Sequence, residues 1–279
     1  MNEVIKNFNL DSIKIKIPKR SKESHKGNFG KVLVFGGSNG MGGAAILASE
    51  ASLFCGAGLV YLHTHSSNVE ASLKRNPEVM VVGINSEYKI VDDMNIILCG
   101  PGLKNDKWSD TVFKKSISKK TKNTIILDAG ALLFLTKYRD KFCKSDKLIL
   151  TPHPGEASKL LDISIDDIQS NRPESAKKIA KKYDADVILK GSETIIYSKE
   201  DSALFRCSDG GPELSTGGTG DVLAGIISAL VAQNLSNIDA CILSVAVHAR
   251  AGKIFREEIG EVGLNASSLI PIARKILNQ

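Results

Sequence analysis

Short apolar runs alternate with longer segments of helical character along most of this chain. Lys31–Phe35 is β-rich and ends at Gly36-Gly37, Gly43–Phe54 is small and helical, and Leu59–His63 is again a strand. Val79–Val82 and Ile96–Cys99 follow as short apolar runs. Trp108–Ser118 reads as a helix, Thr124–Leu127 as a buried strand, and Leu148–Leu150 as a strand that ends in Thr151-Pro152. Asn171 or Ser170 caps a helix with Pro173 in its first turn, running to about Tyr183. Val187–Leu189 and Thr194–Tyr197 form a strand pair around Gly191-Ser192, and Ala203–Arg206 adds a third strand. Asp221–Gln233, Ile238–Ile259 and Ala266–Leu277 are predicted helical. Strands this short and this continuously apolar, separated by helices, predict an α/β fold: a central, mainly parallel sheet with helices on both faces. No linker, repeat or low-complexity segment interrupts it, so residues 1–279 are expected to form one domain.

Composition narrows the class. The chain has 279 residues, 42% hydrophobic and 24% charged, ordinary for a soluble globular protein. No apolar run approaches the roughly 18 residues of a membrane span, and the first residues lack the apolar core of a signal peptide. The five cysteines, Cys55, Cys99, Cys143, Cys207 and Cys241, are scattered and odd in number, which fits a reduced, cytoplasmic protein. The net charge of +6 comes mainly from lysines in polar stretches such as Lys114–Lys122 and Lys177–Lys182. With only 5% aromatic residues and no basic-aromatic interleaving, these read as solvated faces, and no nucleic-acid or membrane partner is expected.

In open α/β sheets the ligand sits beyond the carboxyl ends of the strands. The chain decorates those ends with Gly36–Ala45, Gly100-Pro101-Gly102, Asp128-Ala129-Gly130, Thr151–Glu156 and Lys190-Gly191. The most informative stretch is Ser215–Gly225, where Gly217, Gly218 and Gly220 lead into the apolar run Val222–Val231. Glycines at a helix start expose unpaired N–H groups and a partial positive charge, a place for phosphate. Asp221 then sits beside the anion, where it handles a proton or a metal; the alternative is a plain glycine turn with an acid favourable to the helix dipole. Gly40–Ala45 fits a relaxed dinucleotide pattern, but Tyr61–His65 offers no acid for a ribose, and no Walker A loop occurs. His63 and His65 share one strand face without a third metal ligand nearby, so a structural role is favoured. His153 lies between two prolines that aim its ring, and a ligand contact is favoured over a turn role. Glu156 also suits a helix cap, and Lys190 either meets phosphate or marks the surface.

Taken together, these segments resemble the ADP/ATP-dependent NAD(P)H-hydrate dehydratases of the ribokinase-like superfamily. The matching pieces are His25–Lys31, Gly36-Gly37 through Ala45, Gly100-Pro101-Gly102, Leu127–Leu132, Thr151–Glu156, Leu189-Lys190-Gly191 and Gly217–Gly225, in the family's order. His153 stands where related kinases carry the Asn of an N-x-x-E element, three residues before Glu156. Cys207–Leu214 departs from the Asn-x-Gly-Asn-Pro-like stretch of many members. The resemblance implies a ribokinase-like fold and a nucleotide-dependent dehydration of NADH or NADPH hydrate, with ADP or ATP as co-substrate and Mg2+ as cofactor. It implies Asp221 as base, Ala44, Gly102, His153 and Asp221 around the hydrate, and Lys190, Gly191, Ser192, Glu193, Thr194, Gly217, Gly218, Thr219 and Gly220 around the nucleotide. Glu156 would hold magnesium through water. It further implies a homo-oligomer, with a tetramer as one form, and a separate epimerase acting on the same substrate. Only about 25 residues precede the match, so an attached epimerase activity is not expected. A ribokinase-like kinase of a small vitamin precursor or sugar, and a nucleotide-binding protein without turnover, are the alternatives.

Overall fold

The structure is a computed structural model that describes residues 4–85, 88, 94–117, 123–138 and 147–279. Its strands are β1 (Ile5–Phe8), β2 (Lys31–Phe35), β3 (Leu59–His65), β4 (Met80–Ile84), β5 (Ile96–Cys99), β6 (Thr124–Leu127), β7 (Leu148–Leu150), β8 (Asp186–Leu189), β9 (Ile195–Ser198) and β10 (Ala203–Cys207). Its helices are α1 (Gly42–Phe54), α2 (Val69–Arg75), α3 (Lys107–Ser116), α4 (Gly130–Tyr138), α5 (Pro154–Leu161), α6 (Ile165–Ser170), α7 (Arg172–Tyr183), α8 (Thr219–Ala232), α9 (Asn237–Glu258) and α10 (Leu269–Leu277). All strands join one sheet in the order β1-β10-β9-β8-β7-β6-β5-β2-β3-β4. Neighbours are parallel except that β9 runs antiparallel to both β8 and β10.

Alternate residues of each strand face opposite ways, which is why the apolar runs are continuous. In β2, Val32 and Val34 pack with α1, α8, α9 and α10, while Leu33 and Phe35 pack with α3, α4, α5 and α7. The expected mainly parallel sheet with helices on both faces is therefore what forms. The register aligns the strand ends: Phe35 lies opposite Cys99, Cys99 opposite Leu127, and Leu127 opposite Leu150. Gly36, Gly100, Asp128 and Thr151, the next residues, consequently emerge at one level. Helix α8 is brought against α1 by small residues. A Cβ on Gly225 would stand 2.3 Å from the Ala48 carbonyl oxygen and 2.7 Å from Ala51 Cβ, so only glycine allows this approach.

The differences from expectation are at ends and in short elements. The Val79–Val82 strand is Met80–Ile84, β3 continues to His65, and Ala266–Ser268 forms a 3-10 turn before α10. The Trp108–Ser118 helix begins at Lys107; Ser118 lies outside the described residues, as does Cys143. Strand β1 and helices α2, α4 and α6 carry no expectation from the pattern. Among the described residues no helix is long and apolar enough to cross a membrane.

Candidate active site

Helix α8 starts at the far end of the glycine stretch. Its N-cap Gly218 has φ +94° and offers no side-chain hydrogen bond to the first turn. Side chains close the first turns of α3 (Asp106), α5 (His153), α6 (Ser164) and α7 (Asn171), whereas α1, like α8, has no side-chain cap. The N–H groups of the α8 first turn thus have no side-chain acceptor, which is the condition for an anion site. The loop is held from behind. The Thr219 hydroxyl donates to the Leu214 and Thr216 carbonyls, each at 3.0 Å. His248 Nε2, from the middle of α9, donates to the Thr219 carbonyl at 3.0 Å. Burial pushes His248 down to about 4, against the pull of this bond, so the ring stays neutral with its proton on Nε2.

Four charged side chains gather beside this cradle. Lys190, just beyond β8, places its ammonium 2.6 Å from Asp128 Oδ1 and 3.9 Å from Glu156 Oε2. The same nitrogen lies 3.3 Å from where a Cβ on Gly220 would be, so it rests against the first turn of α8. Asp128, beyond β6, is 1% exposed and also accepts the Thr151 hydroxyl at 2.7 Å. Asp221 completes the group on α8. Burial pushes its carboxyl up to about 7, reinforced by Asp128 and opposed by Lys190. Burial likewise raises Glu156, against the pull of Lys190. Burial lowers Lys190, but Asp128 and Glu156 more than restore it, and the lysine stays protonated. Three acids around one ammonium in a confined space make a site where a proton can be accepted near neutral pH.

His153 and Glu156 form a reciprocal cap on α5. His153 Nδ1 accepts from the Gly155 and Glu156 amides at 3.0 and 3.3 Å, and Glu156 Oε2 accepts from the His153 amide at 2.8 Å. The cap leaves the ring proton on Nε2, 3.3 Å from Glu156 Oε1, and the His153 side chain remains 55% exposed. The capping reading of Glu156 is therefore what forms, with His153 as its partner, and the imidazole remains exposed. Burial lowers His153, with Lys190 adding to the effect.

The remaining candidates occupy the neighbouring loops. A Cβ on Gly102 would meet the Met41 carbonyl oxygen at 2.4 Å and Ala44 Cβ at 3.2 Å, so Ala44 and Gly102 adjoin. Gly100 abuts the Asp128 carbonyl, which links this loop pair to the charged group. Ser192, Glu193 and Thr194 form the turn between β8 and β9 that follows Lys190 and Gly191. Arg172 of α7 holds that turn through the Ser192 and Leu189 carbonyls. No group of three or more His, Cys, Asp or Glu poised for a metal occurs among the described residues. His63 and His65 serve the fold: His63 is buried and bonds Tyr88, and His65 bonds Ser67 and lies edge-on to Trp108. Sequence reasoning did not reach His248, which lies in an unremarkable helical run, nor a role for Asp128.

A parallel sheet with an uncapped, glycine-opened helix beyond its strand ends defines a ribokinase-like α/β protein. Within that class, the chain belongs to the NAD(P)H-hydrate dehydratase family, whose model matches residues 32–275. It is 38% identical over 94% of its length to the bifunctional NAD(P)H-hydrate repair enzyme of Coxiella burnetii, of which it covers 53%. The chain thus spans about half the length of that relative. It is 34% identical to the ADP-dependent (S)-NAD(P)H-hydrate dehydratase of Neisseria meningitidis, over 93% of this chain and 89% of that one. Among solved structures it resembles the ADP/ATP-dependent NAD(P)H-hydrate dehydratase of Bacillus subtilis, co-crystallised with ATP/Mg2+, with a TM-score of 0.85 and 27% identity covering 94% of each chain.

Proposed function

We propose that this chain, acting as one domain, restores NADH or NADPH from the S-epimer of its hydrate, using ADP or ATP as phosphoryl donor. The observation that carries the reading is Asp221, held near a pKa of about 7 in the first turn of an uncapped helix. Family membership and the Neisseria and Bacillus relatives support the choice of substrate. Hydroxide is a poor leaving group from the reduced ring. Asp221 accepts the hydroxyl proton as the hydroxyl oxygen takes the terminal phosphoryl, leaving AMP from ADP or ADP from ATP. The ring nitrogen's lone pair then expels phosphate to give an iminium, and loss of a proton to water from the neighbouring ring carbon restores the double bond. The amides at Gly217, Gly218, Thr219 and Gly220 offset the charge developing on the transferred phosphoryl, and the Lys190 ammonium against Gly220 adds to them.

Ala44, Gly102 and His153 line the hydrate side in this reading, and Gly191, Ser192, Glu193 and Thr194 the nucleotide side. Mg2+ takes oxygen ligands and keeps several waters, so it needs only one or two protein carboxylates rather than a closed cage. Glu156 would hold the ion through water. Bound there, the ion would neutralise phosphate charge. The setting is cytoplasmic, the assembly a homo-oligomer, and the partner reaction an epimerisation of the same hydrate.

The test is absorbance of reduced nicotinamide, with phosphate release measured in parallel. Absorbance should return from the hydrate only when nucleotide and magnesium are both present. Return without nucleotide, or faster phosphorylation of a sugar or vitamin precursor, refutes the dehydratase reading.

A further inference from the structure

Asp128 is nearly sealed from solvent, yet it touches the site only through other side chains. Its Oδ1 takes two short contacts, from the Thr151 hydroxyl at 2.7 Å and the Lys190 ammonium at 2.6 Å. Lysine has a long flexible stem, and fixing its head costs rotamer entropy. Something must therefore hold the ammonium where Gly220 leaves room for it. Two other acids compete for that charge: Glu156 from α5, at 3.9 Å, and Asp221 from α8, which acts on it at longer range. Glu156 draws the lysine towards α5, while Asp128, anchored at the end of a fully buried strand, draws it towards the sheet. Its closer contact and the second bond from Thr151 make Asp128 the stronger anchor.

We propose that Asp128 is a positioning residue, whose carboxylate fixes the Lys190 ammonium against Gly220 where the terminal phosphoryl of the nucleotide is received. The inference rests on the nucleotide-facing role given to Lys190 above. Asp128→Asn keeps the shape and the acceptor for Thr151 but removes the charge. The freed ammonium then swings towards Glu156. It still sits in an acidic pocket open to the nucleotide, so binding persists while alignment for transfer is lost.

Three variants decide the matter: Asp128→Asn, Lys190→Met and the pair. Each is measured for kcat with hydrate and saturating ADP and magnesium, for ADP affinity by calorimetry, and for melting temperature. In Asp128→Asn, kcat should fall about 10–100-fold, the usual size when the support behind a functional group is lost. ADP affinity should change by less than about fivefold, a smaller effect than the loss in rate. In the pair, kcat should match Lys190→Met within about threefold, because Asp128 has nothing left to position. Independent, multiplying losses would overturn the inference, as would equal loss of kcat and affinity alongside a lowered melting temperature. Full activity in Lys190→Met refutes instead the assignment of Lys190 itself, and no turnover by the unaltered chain refutes the proposed function. If Asp128→Asn does not fold, Thr151→Val tests the same anchor by removing its second bond. A smaller fall in kcat with unchanged ADP affinity supports the inference, and an unchanged kcat overturns it.

Discussion

At the scale of single residues, the site depends on where charge is allowed to rest. Asp221 is partly buried and lies among two other acids, which is why its carboxyl sits near 7. Asp221→Asn keeps the size of the side chain but cannot take a proton. General base catalysis contributes about 10²–10⁴-fold, so kcat should fall by at least that order. Nucleotide affinity should hold or improve, because a negative charge near phosphate is gone. Steady-state rates and calorimetry on folded protein check both; turnover within about tenfold of the unaltered chain would leave Asp221 as a mere helix acid. His153 has two duties, and they separate experimentally. Loss of its cap in His153→Ala should lower stability by about 1 kcal/mol in urea unfolding. Loss of the exposed ring should raise the KM for hydrate far more than that for ADP. Equal rises in both KM values would reduce His153 to its cap.

At the scale of elements, α8 turns a sequence feature into a binding feature. The Gly218 backbone at φ +94° sets the direction of entry, and a Cβ there would stand 2.8 Å from Leu47 Cδ1 and 3.0 Å from Ala266 Cβ. Gly218→Ala should cost about 1–3 kcal/mol of stability from backbone strain and weaken ADP binding as the turn shifts. Denaturant curves and calorimetry measure this; an alanine variant equal to the original in both would mean that the cradle does not need this conformation. Such punctuation was legible, because glycine and proline act locally. The buried parallel strands were legible too: β5, β6 and β7 are apolar throughout and bounded by turn residues, and their limits coincide with the runs read from sequence. Strand β1 was not. Its Ile5–Phe8 run includes a lysine and an asparagine, and it becomes a strand only by pairing with Leu204–Cys207 at the far end of the chain. Helices α2 and α6, of 7 and 6 residues, are too short to show a period. The site divides the same way. Asp221, Lys190, His153 and Glu156 stand next to glycines or prolines and drew notice. Asp128 acts through Lys190, 62 positions away, and His248 through Thr219, 29 positions away, so neither role is written locally.

At the scale of the whole molecule, the acids of the site and two buried histidines pull the pH dependence of stability in opposite directions. Burial moves Asp221 from an ordinary 3.8 up to about 7. Between these values the folded chain keeps a proton that the unfolded chain has released, so this contribution to stability falls as pH rises. Glu156 is raised as well and acts with the same sign. His63 and His248 are each lowered by burial from 6.5 to about 4. In that window the unfolded chain holds protons that the folded one lacks, so their contribution to stability rises with pH. The two sets offset each other below about pH 6.5. Asp221→Asn takes away one falling contribution and leaves both rising ones. Relative to the original chain, the variant should therefore gain stability as pH increases between about 4 and 7, with a slope approaching about 1.4 kcal/mol per pH unit. Urea unfolding of both proteins across that range, in chelator and without nucleotide, gives the difference directly. Parallel curves would mean that Asp221 titrates normally in the fold. Catalysis runs the other way, since a base must be ionised to work: in the original chain kcat/KM, which reports the free protein's ionisation, should climb through pH about 7, where the same ionisation withdraws stability. A common midpoint for the two opposite trends, lost from both in Asp221→Asn, would tie them to the Asp221 carboxyl; a midpoint that persists in the variant would assign them to Glu156, which burial raises as well.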